Sequence, residues 1–265
     1  MVNEDNNIKY YYHYTSIETL ALLLKYKTIR FTSLSKVDDG EEVQTRDFGD
    51  LGRFCFVSCW TNNPKESIPL WKMYTPNMDG VRIKLAENPF KEYKYKKGEF
   101  DFKEDTVTHL DIEKNYKNNE NAFGLPLVNL LVQVKYTDDN NEIIPNVYSR
   151  IGTMENYSTT LDISKIGVYK RDAWEFQDEW RYRIFISPWT WKEAKEVKSI
   201  EEQIELFNRY KDYKINNSYY DVELDETKLN EMEVVLGPKT TEAQVLIVSL
   251  IVKERSEERR VGKEC

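Results

Sequence analysis

YYYHYTSIETLALLLKYKTIRFTSLSKVDDGEE, residues 10–42, carries the patterns from which the fold is read. Residues 9–14 are dense in aromatics and predict a strand. Its period of two puts Tyr10, Tyr12 and Tyr14 on one face, with Tyr11 and His13 on the other. Ile17, Leu20, Ala21 and Leu24 recur at i, i+3, i+4 and i+7, the apolar stripe of a short helix. Thr15 and Glu18 have the spacing of a capping box at its start, and Lys25 and Lys27 suit its C-terminal dipole. TIRFTSL follows as a second strand, with Ile29, Phe31 and Ser33 on one face, and Asp38-Asp39-Gly40 marks a turn. Strand, helix and strand form one wall of a pocket, with His13 at a strand exit.

The rest of the chain is expected to supply the opposite wall. FCFVSCWT (54–61) predicts a largely apolar strand at the centre of a sheet, and VRIKLA (81–86) another after Gly80. Between them a short helical segment places Leu70, Trp71 and Tyr74 on one face. Residues 93–125, rich in Lys, Glu and Asn, read as a solvated or inserted excursion. LVNLLVQVKY (127–136) has strand composition, 140–167 reads as mainly helical, and 168–187 as a helix or turn feeding a strand. A helix is expected over 200–211, a strand over 233–237, and a closing helix over 240–254 capped by Thr240 or Thr241. There is no internal repeat and no Pro/Gly/Ser linker, so residues 1–254 read as a single α+β domain with mixed or antiparallel sheets and flanking helices.

RSEERRVGKEC (255–265) is abruptly charged and has no periodic apolar face. It resembles a translated sequencing-adaptor peptide, and an ordinary disordered tail explains it equally well; neither reading gives it a function.

With 265 residues, 13% of them aromatic, the chain can bury a substantial core. Its net charge of −8 gives no global attraction to nucleic acid. No apolar run approaches the roughly 20 residues of a membrane span, and the polar start lacks the pattern of a signal peptide, so a cytoplasmic location is expected. Cys55 and Cys59, about 13 Å apart along a strand, are too distant for a disulfide and read as small buried hydrophobes. Two histidines, His13 and His109, and no cysteine doublet argue against a His/Cys metal site, and no metal is expected. His109, in a charged stretch, reads as a surface residue. Phosphate-loop, dinucleotide-fingerprint and nucleophile-elbow motifs are absent.

What remains is an ordered series: H-Y-T-S from His13, R-F-T-S from Arg30, D-D-G-E-E from Asp38, L-W-K-M-Y from Leu70, and Q-D-E-W-R from Gln177. This series resembles an uncharacterised bacterial family, domain of unknown function 2971, over most of residues 10–250. Asp38 stands where that pattern has Asn, Gly40 where it has Pro, and Gln177 where it has the first Glu of E-x-E. The layout also resembles the ADP-ribosyltransferase fold, especially its toxin-like branches. That resemblance implies NAD as substrate. His13 would hold a ribose, assisted by Thr15 and supported by Ser33 beside Tyr14, and an aromatic such as Trp71 or Tyr74 would stack on nicotinamide. Glu179 would stabilise the oxocarbenium-like ribose and Gln177 would orient the acceptor. Asp39, Glu42 and Arg181 complete the motif set, Glu42 as a cation ligand or an Arg181 partner.

The function expected from the resemblance is ADP-ribosyl transfer or NAD hydrolysis in bacterial toxin or phage-defence biology, with the acceptor open. Plainer readings compete: a core histidine at 13, a helix cap at Thr15, core aromatics at Trp71 and Tyr74, and a buried ion pair at Glu179. Two alternatives stand beside it: a non-catalytic nucleotide- or partner-binding module of the same fold, and a metal-dependent phosphodiesterase using Asp38, Asp39, Glu42 and Glu179. The transferase reading demands that His13 and Glu179 line one cleft; side chains on opposite sides of the sheet would exclude it.

Overall fold

The computed structural model describes residues 8–118, 120–123, 130–153, 157–210, 212–213 and 218–261. The chain opens with β1 (Tyr10–Thr15), α1 (Ile17–Tyr26), β2 (Thr28–Ser33), β3 (Cys55–Thr61), α2 (Ile68–Tyr74) and β4 (Val81–Ala86). Next come β5 (Tyr93–Tyr95), β6 (Thr106–Thr108), α3 (Ile112–Lys117), β7 (Asn121–Phe123), β8 (Leu131–Gln133), β9 (Lys135–Tyr136) and α4 (Asn140–Ile143). They are followed by β10 (Tyr148–Gly152), β11 (Tyr157–Leu161), β12 (Tyr169–Lys170), β13 (Glu179–Thr190), α5 (Trp191–Glu196) and α6 (Ile200–Arg209). The chain closes with β14 (Tyr219–Glu223), α7 (Glu226–Asn230), β15 (Glu233–Leu236) and α8 (Glu242–Val261).

Among the described residues nine strands form the principal sheet, in the order β14-β2-β3-β1-β4-β15, with β13 also on β3 and with β7 and β8 on β13. All of its pairings are antiparallel. Three two-stranded sheets accompany it, one of them the parallel β12–β9 pair. The architecture is α+β, with antiparallel sheets and helices.

One face of the principal sheet buries Phe31, Trp60, Ile83, Leu85 and Tyr182 against Leu20, Leu23 and Leu24 of α1 and Val248 of α8. The opposite face buries Leu34, Val57, Phe185 and Trp189 against Leu206 and Phe207 of α6. Each such side chain contributes about 1.5–3 kcal/mol when fully removed from water. Gly80 sets the entry to β4: a Cβ there would lie 2.4 Å from the Thr15 carbonyl oxygen, so any side chain would push β4 off β1.

Three expectations are corrected. The N-cap of α1 is Ser16, whose hydroxyl accepts from Thr19 N–H at 3.2 Å; Thr15 is held in β1 opposite Val81, so the helix starts one residue late for the Thr15–Glu18 box. The region 140–167 is helical only over Asn140–Ile143 and then forms the β10–β11 hairpin. The Tyr, Thr and Ile content of these segments favours strands. His109 is buried, with Nδ1 3.2 Å from the Lys91 carbonyl and its ring against Phe90.

The segment 93–125 is not wholly peripheral, because Tyr95, Leu110, Ile112 and Phe123 enter the main core. The proposed strand residues 127–129 lie outside the described residues, as do 211 of the helix expected over 200–211 and 262–265 of the charged tail. The closing helix runs on to Val261, with Thr241 Oγ1 accepting from Gln244 N–H at its start. Among the described residues, no helix is long and apolar enough to cross a membrane.

Candidate functional site

The site is made by a fork in the principal sheet. Along one edge β3 is paired with β13 continuously from Cys55 to Thr61. Its other edge is divided: β2 pairs at Phe56 and Val57, and β1 only at Thr61. Between those contacts β1 and β2 part, leaving a cavity of about 280 Å³. His13, Tyr14 and Thr32 line it from the two parting strands, Tyr74 from α2, and Lys170, Gln177, Glu179 and Arg181 from the far wall.

Register places Tyr12, Thr61 and Glu179 on one face of the sheet. His13, one residue on, leaves β1 from the other face, opposite Ile83 and against Trp60 with ring centroids 5.1 Å apart. The two strands therefore do not present His13 and Glu179 on one face. Opposite faces is the outcome set above against the transferase reading; its demand for one cleft is nonetheless met, because both residues line one cavity where β1 and β2 part. His13 Nδ1 lies 2.7 Å from the Cys59 carbonyl oxygen. A carbonyl can only accept, so Nδ1 carries the proton and Nε2 of the neutral ring is an acceptor. Burial lowers the His13 pKa against the opposing pull of the Cys59 hydrogen bond, and the ring is neutral at neutral pH.

Glu179 is 4% exposed and Arg181 0%. Glu179 Oε1 accepts from Arg181 Nε at 2.5 Å, and Oε2 from Lys170 Nζ at 2.9 Å and from Arg181 at 3.1 Å. Arg181 also donates to both carboxylate oxygens of the buried Glu42 and to the Gly167 carbonyl. Lys170 lies 3.4 Å from Glu42 and donates to Gln177 Oε1 at 2.8 Å. Two carboxylates and two cations, their side chains nearly buried, thus balance, the condition under which buried charges are tolerated. Burial alone would raise the Glu179 pKa; Arg181 and then Lys170 outweigh it and hold it near about 2. Gln177 Nε2 donates to the Tyr74 hydroxyl at 2.7 Å. Burial, with Cys59 and Glu179 nearby, pushes the Tyr74 pKa far up, so its O–H stays protonated and available as a donor. Burial and then Glu179 likewise keep Cys59 a thiol.

Of the residues singled out from sequence, His13, Tyr14, Tyr74, Gln177, Glu179 and Arg181 line the cavity. Thr15, Ser33 and Trp71 do not. Thr15 ends β1, Ser33 donates to the Arg53 carbonyl at 2.8 Å, and Trp71 is fully buried with its ring edge-on to Tyr14. Asp39 shapes the turn, its Oδ1 accepting from Glu41 N–H at 3.0 Å, while Asp38 lies on the cavity wall. The acidic set Asp38, Asp39, Glu42 and Glu179 does not converge, since Glu42 and Glu179 are consumed by cations. Among the described residues no group of three His, Cys, Asp or Glu could hold a metal. Sequence reasoning missed Lys170 and Cys59. The one signal for Lys170 was a cation between Val168-Tyr169 and the acidic stretch that follows.

The site thus offers a neutral imidazole acceptor, a phenol donor and a fixed carboxylate that stays anionic in a dry setting. No curated protein and no solved structure matches the chain. Residues 70–182, which take in L-W-K-M-Y of α2 and E-W-R of β13 but not His13 or Glu42, match the model of a family described as protein of unknown function (DUF2971).

Proposed function

We propose that the cavity at the fork takes NAD and that the protein is an NAD-consuming enzyme of the ADP-ribosyltransferase type. The observation that carries this reading is one cavity lined by His13 on one side and by Gln177 and Glu179 on the other. In the reaction the bond between the ribose C1′ and the nicotinamide nitrogen breaks, and its electron pair leaves with nicotinamide. An acceptor hydroxyl, amine or water then bonds to C1′ and releases its proton. Positive charge develops on the ribose as the leaving group departs. A carboxylate held anionic in a water-poor site binds that state more tightly than the ground state. His13 Nε2 would accept from a ribose hydroxyl, and the Tyr74 O–H would donate to the nicotinamide carboxamide.

A second reading has its own support. Both oxygens of Glu179 are already engaged by Arg181 and Lys170, which suits a non-catalytic pocket whose charges fix its shape. Nicotinamide release from NAD separates the two. The enzyme reading expects release by the wild type, reduced by about 10²-fold or more in Glu179→Gln, the scale of losing one charge stabiliser. Because Glu179→Gln leaves buried cations underpaired, Tyr74→Phe, which removes one hydroxyl, is measured beside it. NAD binding detected by thermal shift without any nicotinamide release would favour the binding module, and no binding at all would end both.

A further inference from the structure

At the other end of β3 from Glu179 lies a separate cavity of about 190 Å³, between α3, β7, β13 and β14. Phe54, Phe56 and Tyr220 supply aromatic walls, and no lysine or arginine among the described residues lines it. Asn115 of α3 and Ser187 of β13 also line it, each 5% exposed. Neither side chain hydrogen-bonds to a described residue, and neither is sealed off as a buried orphan. Their polar atoms are therefore open to whatever fills the cavity they line and can hydrogen-bond to it. Burial pushes the Tyr220 phenol well up, so its hydroxyl is a further neutral group at that wall.

We infer that this cavity binds an uncharged nitrogen heterocycle of nucleobase size, stacked on the aromatic walls and read at its edge by the Asn115 amide and the Ser187 hydroxyl. The chemistry selects that class in three ways. A primary amide offers donors and an acceptor side by side, matching the edge of a base. Aromatic faces take flat rings irrespective of sequence. The volume, smaller than that at the fork, suits a single ring better than a nucleotide, and no described residue of the lining offers a phosphate a counter-charge. Glu120, the carboxylate of the lining, further disfavours an anion. The inference does not depend on NAD chemistry at the fork.

Calorimetric titration of the full chain with adenine, cytosine and nicotinamide, and with AMP as the phosphorylated control, tests it. At least one of the three neutral rings is expected to bind, and AMP more weakly than adenine. Asn115→Leu should weaken that binding by about tenfold and Ser187→Ala by a few-fold, the range for losing one neutral hydrogen bond, with melting temperatures recorded for both variants. Should Asn115→Leu not fold, Ser187→Ala, which deletes only a hydroxyl, carries the comparison. Three outcomes overturn the inference: none of the three rings binds, binding survives both substitutions, or AMP binds as tightly as adenine. The first of these would mean that the cavity holds only water, which its size permits.

Discussion

The two faces of β13 make opposite use of one strand. Trp180, Tyr182 and Ile184 point into the apolar core, where Tyr182 meets Trp60 and Phe90 edge-on. Glu179, Arg181 and Arg183 alternate with them and are also buried, yet charged. On the first face burial itself is the stabilising term. On the second, burial is a cost that Glu42, Lys170 and backbone carbonyls offset by pairing. The difference teaches that alternation says which residues share a face, but not whether a charged face is wet or dry.

The comparison breaks most visibly at Arg181. Arg181→Met should leave Glu42 and Glu179 facing each other without their shared cation, at a loss of about 3–5 kcal/mol, read from urea unfolding midpoints. An unfolding curve close to wild type would mean that the charged face contributes nothing. Replacing Glu42, Lys170, Glu179 and Arg181 together by Met or Leu is the contrasting case. Because the whole network goes, stability should hold or rise by about 1–4 kcal/mol while any activity at the fork is lost. A collapse in stability there would show that the network builds the fold as well as the site.

Acid should separate the faces in a different way. The Glu179 pKa falls from 4.5 to about 2 on folding. Its contribution is therefore fully present above the unfolded value and lost as pH falls from about 4.5 toward 2, on the order of 3 kcal/mol. His13, also lowered, adds a loss with the same sign that begins below about 6.5, where the unfolded chain takes up its proton first. Denaturation at stepped pH measures both, and stability that does not fall between pH 5 and 2 would contradict the ion pairing. The smallest change is on the apolar face: Tyr182→Phe removes the acceptor of Asn88 N–H, now at 3.2 Å, for about 1 kcal/mol.

Much of the scaffold was legible because it follows local rules. The apolar stripe of α1, the strands β1 to β4 and the strand beginning at Glu179 all follow from period and composition. The α1 cap was displaced by one residue because pairing of Thr15 with Val81, far along the chain, overrode a local capping motif. The hairpin after Ile144 was missed because weakly patterned, polar strands such as β10 and β11 carry little periodic signal. The site was legible in pieces. Glu179 and Arg181 stood out as neighbours in sequence, and Glu42, 139 residues from Arg181, was offered as its partner on the motif pattern, as the structure has it; Lys170, in β12, was not singled out. His13 was noticed for its rarity, yet whether it shares a cavity with Glu179 depends on where β1 and β2 separate, which no local pattern encodes.

That separation gives β3 an internal edge, a length of main chain in mid-sheet whose outward carbonyl at Cys59 is met by a side chain instead of a strand. Recognition at such an edge can run through peptide groups, which every residue possesses. A molecule entering the fork would meet a surface that substitutions along β3 leave chemically intact, and His13 is the side chain whose loss would change what that backbone offers.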